Sequence, residues 1–192
     1  MKDRSVDEVV ARLRGHLRPD QISIHPVERL VYGYDATWAE GVPDVVVHAE
    51  STADVAEVLR IADELEMPVV PRGGGTGLAG GSVPMVGGIC LNLARMNRIL
   101  EVDPVDGVAV VQPGVITYEL QKAVEAHGWF YPPDPASLYM STIGGNVATN
   151  AGGAALPEIW GDPGLCPGDG SGPAGRGGIA AWGSGDEGRI GL

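Results

Sequence analysis

The sequence predicts a mixed α+β fold, and three kinds of local pattern support that prediction. Apolar residues recur at helical spacing in several segments, short runs rich in β-branched residues are typical of strands, and glycine-rich loops follow some of these runs. A chain of 192 residues has room for one ordinary domain of about 100 to 200 residues. Because helical and strand-like segments alternate, the pattern is that of an α+β chain.

A short helix is predicted near the N-terminus. Ser5 can cap its first turn, and Glu8 three residues later completes a capping box. The apolar residues that follow recur at helical spacing and form one stripe: Val9, Val10, Leu13 and Leu17. We assign residues 1–40 to this N-terminal helix and a lead-in segment.

A strand, a helix and a second strand are predicted next. Residues 44–48 form a β-branched run, and the segment 51–54, which begins at Ser51, caps the helix. The expected buried face of this helix consists of Val55, Val58, Leu59, Ala62 and Leu65. Pro68 ends the helix, and residues 69–70 make a short strand that leads into a glycine-rich loop.

The chain continues with three strands and one more helix. The strands are predicted at 88–92, 99–102 and 108–112. The helix is predicted over 117–127, with Gly128 as the residue that ends it.

Two glycine-rich segments, 71–81 and 141–153, are the most informative features of the sequence. Glycine lacks a Cβ and tolerates positive φ, so consecutive backbone N–H groups can converge on an anion such as a pyrophosphate. Strand-like and helix-like sequence, not a linker, joins the two segments. We expect one long ligand held at both ends, and a dinucleotide cofactor has that length.

A Rossmann fold is the obvious alternative, because residues 75–80 match the G-x-G-x-x-G pattern and Glu101 lies about 20 residues further on. That motif needs its last glycines to open a helix whose N-terminus holds the pyrophosphate. Here Gly80, Gly81, Pro84, Gly87 and Gly88 interrupt any helix before the next strand. The context therefore argues against a Rossmann fold.

Composition excludes several other classes of protein. The net charge of −12 argues against a nucleic-acid partner, which would need clustered lysine and arginine. The two cysteines, Cys90 and Cys166, indicate neither a disulfide framework nor a metal site, and a reducing cytoplasm fits this usage. The charged N-terminus and the lack of a long apolar run predict a soluble chain without a membrane span.

Three ordered motifs carry a family resemblance: the loop 71–81, the PPDPAS run at 132–137, and the segment 141–153. Together they resemble FAD-linked oxidases of the p-cresol methylhydroxylase and vanillyl-alcohol oxidase type, and within these the branch of the glycolate oxidase flavin subunit and D-lactate dehydrogenase. The resemblance runs from about residue 34 to residue 153. It implies the N-terminal part of a p-cresol methylhydroxylase-type FAD-binding domain, incomplete over 41–153.

The resemblance also implies which residues bind FAD. The first loop would wrap the pyrophosphate through Arg72, Gly73, Gly74, Gly75, Thr76, Gly77 and Leu78. The later motifs would line the ribityl and isoalloxazine parts through Pro133, Asp134, Ser137, Thr142, Gly144, Gly145, Asn146, Thr149, Asn150, Gly152 and Gly153. The neutral polar side chains among these suit the polar edge of a flavin. Some relatives tether the flavin through a histidine in the first loop; this loop has none, so noncovalent FAD is expected.

By the same resemblance, the whole enzyme would move a hydride from the α-carbon of a 2-hydroxy acid, such as glycolate or D-lactate, to flavin N5. A partner subunit for electron transfer is also implied. The groups that bind the acid and take its proton would lie beyond this chain, so no catalytic residue and no metal ligand is assigned here. We expect this chain alone to be inactive.

The sequence is less specific about the roles of several other polar and aromatic residues. His48 lies in an apolar strand and His127 at a helix end, where a structural role is favoured over catalysis. The segment 34–37 lies either near the flavin or in a surface turn, and the aromatic run 129–131 is expected in the core.

Residues 154–192 depart from the family pattern. They contain twelve of the chain's 30 glycines and no periodic apolar pattern, so a disordered tail is expected. Reading the codons from Ala154 onward in an alternative frame permits a sequence like the one that relatives have at this point. We therefore predict a frameshift near Gly153 or Ala154, with a natural disordered tail as the alternative.

The sequence is also compatible with two other functions. The chain could be a nucleotide-binding module without redox activity, or a non-functional product of a frameshifted gene.

Overall fold

The computed structural model describes residues 6–151 and 188–191. The chain divides into two compact units, Met1–Arg95 and Met96–Leu192. The boundary between the units falls inside the segment 41–153, which the sequence assigns to one FAD-binding domain. That assignment and its boundaries stay predictions.

The first unit contains a four-stranded sheet. Its strands are β1 (Ile22–Ser23), β2 (Val45–His48), β3 (Val69–Arg72) and β4 (Ile89–Asn92), in the order β1-β2-β4-β3. β2, β4 and β3 run parallel, and β1 pairs with β2 in the antiparallel direction. Every residue of β2 and β4 is buried, which explains why the first three residues of each strand are apolar without alternation. Pro71 is tolerated because β3 lies at the edge of the sheet.

Three α-helices belong to the first unit: α1 (Val6–Arg14), α2 (Pro26–Val31) and α3 (Thr52–Glu64), with a 3₁₀ turn at Pro19–Gln21. The α1 stripe is buried as predicted, whereas Ser5 lies outside the described residues. The Ser51 side chain accepts a hydrogen bond from the backbone N–H of Asp54 at 3.1 Å, so the predicted cap is confirmed.

The buried face of α3 differs from the predicted face. Val58, Ile61 and Ala62 are buried, but the expected core residue Leu59 is 48% exposed. The prediction was wrong for Leu59. The helix packs the side on which Val58, Ile61 and Ala62 lie against the core, and this orientation turns Leu59 toward solvent. Helix α2 was not predicted, since it buries none of its residues and leaves no amphipathic signal.

The second unit contains β5 (Ile99–Asp103), β6 (Val108–Val111), α4 (Thr117–Glu125), α5 (Ile143–Thr149) and β7 (Gly188–Gly191). The three strands form an antiparallel sheet in the order β5-β6-β7. A buried core joins sheet and helices: Ala109, Val111, Val115, Leu120, Val124, Tyr131 and Ile143. Gly128 has φ +78° just after α4, as expected of the residue that ends a helix.

The prediction of a tail without ordered structure over 154–192 does not hold for Gly188–Gly191, which pair with Val108–Val111. β6 has an edge that β5 does not cover, and its free N–H and C=O groups pair readily with an extended segment. The rest of that tail lies outside the described residues, and so does the predicted frameshift position.

None of the helices in the described ranges has the length and apolar character that crossing a bilayer requires.

Candidate functional site

The first glycine-rich loop leaves the carboxyl end of strand β3 and returns to the sheet at β4. Gly75 and Gly80 adopt φ values of +67° and +72°, a region that favours glycine. No helix forms between Arg72 and Ile89, so the loop is not the strand-to-helix turn of a Rossmann fold. The argument against that fold is therefore confirmed.

The guanidinium of Arg72 lies directly beneath this loop. Its Nη1 donates a hydrogen bond to the carbonyl of Tyr34 at 2.6 Å, and its Cζ lies 5.5 Å from the centre of the Tyr32 ring. A Cβ placed on Gly75 would lie 2.1 Å from Arg72 Nη2. Arg72 is 8% exposed, so the structure uses this side chain to support the loop from inside.

A buried polar network continues behind Arg72. His48 Nδ1 lies 2.8 Å from Asn92 Nδ2, and His48 Nε2 lies 2.7 Å from Glu28 Oε1. Asn92 Oδ1 accepts a hydrogen bond from the backbone N–H of Ala94, so Asn92 Nδ2 is the donor in the contact with His48. Asn92 Nδ2 also donates to the hydroxyl oxygen of Tyr32 at 3.1 Å. His48 Nδ1 must then be the acceptor and Nε2–H the donor to Glu28.

Two groups of the network have shifted pKa values. Hydrogen bonds from Ser23 and from His48 lower the pKa of Glu28, against the opposing effect of burial. Burial, followed by the charge of Glu28, raises the pKa of Tyr32. These bonds hold His48 between two elements of the first unit, which agrees with a structural role.

The segment before β2 lies against the same loop. The backbone N–H of Ala36 donates to the carbonyl of Gly77 at 3.3 Å, and a Cβ on Gly80 would lie 3.8 Å from that of Ala39. Among the described residues, two buried side-chain atoms lack a hydrogen-bond partner, Asp35 Oδ2 and Ser82 Oγ. The sequence left the segment 34–37 open between a flavin contact and a surface turn, and it gave no signal for Ser82.

The outer face of the loop is accessible backbone. A Cβ on Gly77 or Gly81 would meet no atom within 4 Å, and Leu78 is 82% exposed. Gly74 is exposed, whereas Gly73 and Thr76 are half-buried. Buried polar groups almost always have partners, so bare backbone beside two unpaired polar atoms fits a polar ligand such as a dinucleotide.

In the second unit, the segment predicted as a second glycine cradle forms helix α5. The Thr142 hydroxyl caps the helix by accepting from the backbone of Gly145 at 3.3 Å, and Asn150 ends it with φ 50°. A Cβ on Gly144 would lie 2.7 Å from that of Pro113, so close packing requires glycine there. The helix was not predicted, because two glycines in its first turn hide the helical pattern.

Several side chains of this segment bond within the protein. Asn146 Nδ2 donates to Thr117 Oγ1 at 2.7 Å, and Thr117 Oγ1 lies 2.8 Å from the hydroxyl of Ser141. Thr149 Oγ1 donates to the carbonyl of Gly145 at 2.8 Å. Thr142, Asn146 and Thr149 therefore shape the segment, whereas the Asn150 side chain is exposed.

The PPDPAS run forms a turn that is anchored on α4. The carbonyl of Pro133 accepts from Gln121 Nε2 at 3.0 Å, and the carbonyl of Ser137 accepts from the backbone of Ser141 at 2.7 Å. Asp134 is exposed and Ser137 is half-buried. Gly152 and Gly153 lie outside the described residues.

Comparison with known proteins gives consistent results. The family described as "FAD binding domain" matches residues 43–158. The glycolate oxidase subunit GlcD of Bacillus subtilis is 44% identical over 154 residues, which are 80% of this chain and 32% of that protein. The D-lactate dehydrogenase of Anaerostipes hadrus is 44% identical over 118 residues, which are 62% of this chain and 25% of that protein. The chain thus spans a third or less of these relatives.

Solved structures show the same fold. An alkyldihydroxyacetonephosphate synthase superposes with a TM-score of 0.73 at 26% identity, covering 81% of this chain and 31% of that one. A p-cresol methylhydroxylase superposes with a TM-score of 0.70 over 97% of this chain and 43% of its own, and its 17% identity supports the fold alone. With a family match over more than half of its length, the chain belongs to the FAD binding domain family, whose cofactor is FAD, and has a p-cresol methylhydroxylase-type fold.

Proposed function

We propose that this chain is the FAD-holding part of a flavin-dependent oxidoreductase that oxidises a 2-hydroxy acid. The observation that supports it most directly is the loop after β3, where bare backbone at Gly77 and Gly81 adjoins the unpaired atoms of Asp35 and Ser82. The relatives support the substrate class, because glycolate, D-lactate and D-2-hydroxyglutarate in their names are all 2-hydroxy acids.

In this proposal, residues 73–78 bind the pyrophosphate through backbone N–H groups. Arg72 acts from below: its buried guanidinium holds the loop in shape and adds positive charge close to the phosphates. A phosphate approaching the exposed side of the loop would meet no Cβ at Gly77. The role of Arg72 is thus support and charge.

The residues proposed to contact the ribityl and isoalloxazine parts are Pro133, Asp134, Ser137 and 142–153. Because Asn146 already bonds Thr117, its contribution is to fix the segment. The exposed Asn150 amide is the better candidate for a direct contact, since it offers both a donor and an acceptor.

When bound, the flavin supplies an electron sink that accepts a hydride at N5. The chain's own residues bind and orient it, and without a histidine in the first loop we propose noncovalent attachment. The groups that bind the hydroxy acid are proposed to lie in the part of the relatives that this chain does not span. The chain alone is therefore proposed to be inactive, with an electron-transfer partner subunit and a cytoplasmic location for the whole enzyme.

Titration of the purified chain with FAD, ADP and NAD tests the cofactor. We expect FAD to bind at least tenfold more tightly than ADP, with quenching of flavin fluorescence, because the residues proposed for the ribityl and isoalloxazine parts would add contacts that ADP cannot make. Equal affinity for FAD and ADP would favour a nucleotide-binding module without redox activity. A folded chain that binds none of the three overturns the proposal and favours a non-functional product, and sequencing the DNA across codons 150–192 tests the frameshift directly.

A further inference from the structure

The carboxylate of Asp35 uses one oxygen within the protein and leaves the other without a partner. Oδ1 accepts from the backbone N–H of Thr37 at 2.8 Å and from its hydroxyl at 2.6 Å. Oδ2 is buried and makes no hydrogen bond among the described residues, and Asp35 as a whole is 7% exposed. The turn at Thr37 accounts for the hydrogen bonds of Oδ1 but not for the burial of Oδ2. Burying a carboxylate oxygen without a hydrogen-bond partner costs free energy.

The position of Asp35 relates this oxygen to the first glycine loop. Ala36, the next residue, donates its N–H to the carbonyl of Gly77. The guanidinium of Arg72 bonds the carbonyl of Tyr34, the residue before Asp35. The second unpaired polar atom, Ser82 Oγ, belongs to the segment that continues this loop toward β4. Both unpaired atoms therefore lie on segments that adjoin the proposed pyrophosphate site.

We propose that Asp35 Oδ2 accepts a hydrogen bond from a sugar-type hydroxyl of the bound dinucleotide, with Ser82 as a second polar contact. The inference rests on the proposed FAD site. A carboxylate only accepts hydrogen bonds, so it needs a donor, and a phosphate nearby offers only acceptors and like charge. FAD carries sugar-type hydroxyls on both sides of its pyrophosphate: those of the adenosine ribose on one side and those of the ribityl chain on the other. Either source supplies the donor that Oδ2 lacks.

The substitution Asp35→Asn tests this directly, because it keeps an acceptor for Thr37 and replaces the unpaired acceptor by a donor. The free protein should melt at the same or a higher temperature, since a buried unpaired charge is removed. Its affinity for FAD should fall roughly tenfold to a hundredfold, the range for a hydrogen bond to a charged group. A merely structural role would give the opposite pattern, with a lower melting temperature and an unchanged affinity, and would overturn the proposal.

Asp44→Asn is the matched control. Asp44 Oδ2 accepts from the backbone N–H of Gly88 at 2.7 Å, so the same chemical change removes a structural bond there. We expect a lower melting temperature with unchanged FAD affinity. Ser82→Ala should leave the melting temperature unchanged and weaken FAD binding a few-fold, since a neutral hydrogen bond is lost.

The affinities of FAD, ADP and FMN distinguish the two hydroxyl sources, and two deoxy analogues of ADP add a check on the ribose. If the ribose is the donor, Asp35→Asn weakens ADP as well as FAD, and 2′-deoxy- or 3′-deoxy-ADP binds the wild type as weakly as ADP binds the variant. If the ribityl chain is the donor, the variant weakens FAD and FMN but not ADP. Unchanged affinity for all three nucleotides in the variant overturns this inference while leaving the proposed function intact. A wild-type chain that binds none of them overturns both.

Discussion

Gly75→Ala should destabilise the first unit by displacing a buried arginine. The new Cβ would lie 2.1 Å from Arg72 Nη2, far inside van der Waals contact, at a residue whose φ is +67°. The end of an arginine can move when it is free, but this one bonds the Tyr34 carbonyl at 2.6 Å and lies over the Tyr32 ring. The new methyl group can therefore be accommodated only if the loop backbone moves or Arg72 gives up these contacts.

Two free-energy terms add. A left-handed backbone costs a non-glycine residue about 1–2 kcal/mol. Loss of a hydrogen bond to a charged group costs about 1.5–3 kcal/mol. We expect Gly75→Ala to lower the free energy of unfolding by about 3–5 kcal/mol, which is a large part of the stability of an ordinary domain.

Urea denaturation followed by tryptophan fluorescence measures this change, and two comparisons identify its cause. Gly77→Ala meets no atom within 4 Å and should leave stability nearly unchanged while weakening FAD binding, because it fills the face that a phosphate would approach. In an Arg72→Met background, Gly75→Ala should cost only the backbone term, about 1–2 kcal/mol. An equal cost in both backgrounds would show that Arg72 plays no part and would refute the reasoning.

Three other outcomes are expected. Asn146→Ala should lower the free energy of unfolding by about 1–3 kcal/mol and weaken FAD binding, because the buried Thr117 hydroxyl loses the hydrogen bond that Asn146 donates to it. An unchanged urea midpoint would contradict this expectation. Burial opposes ionisation of Asp54, but hydrogen bonds from the Glu50 backbone, Ser51 and Gln21 together lower the pKa of its carboxyl group. The ionised Asp54 therefore stabilises the fold above its ordinary pKa, and this stabilisation is lost as the pH falls through the lowered pKa. Asp54→Asn should therefore flatten the acid side of the stability profile, and a parallel loss of stability in both proteins would exclude this origin. Burial raises the pKa of Cys90 to about 11, so a thiol reagent at pH 8 should label Cys90 only as fast as the first unit unfolds, which mass spectrometry of the peptide that contains Cys90 measures.

Local patterns in the sequence were sufficient where one short stretch decides the structure. The Ser51 cap, the strands on both sides of the first loop and the glycine that ends α4 all depend on neighbours within a few residues. The loop itself is predicted to be an anion site, because its glycine content sets how closely a ligand can approach the backbone.

Features that depend on distant contacts could not be predicted. Helix α5 exists because Gly144 packs against Pro113 and Asn146 bonds Thr117, neither of which sequence spacing reveals. Strand β7 depends on an uncovered edge of β6. The unpaired oxygen of Asp35 becomes informative only after burial and all local bonds are known.

The pairing of the three parallel strands has a consequence for how the loop is placed. Three rows of apolar partners cross β2, β4 and β3, and the fourth row is polar: His48, Asn92 and Arg72. A slip of one strand by one residue would turn its side chains to the opposite face and would set one of these polar groups beside an apolar partner, away from its bonds. The polar row thus penalises misregistered pairing. Because the glycine-rich loop starts directly after Arg72, the correct register of the sheet also fixes where that loop begins.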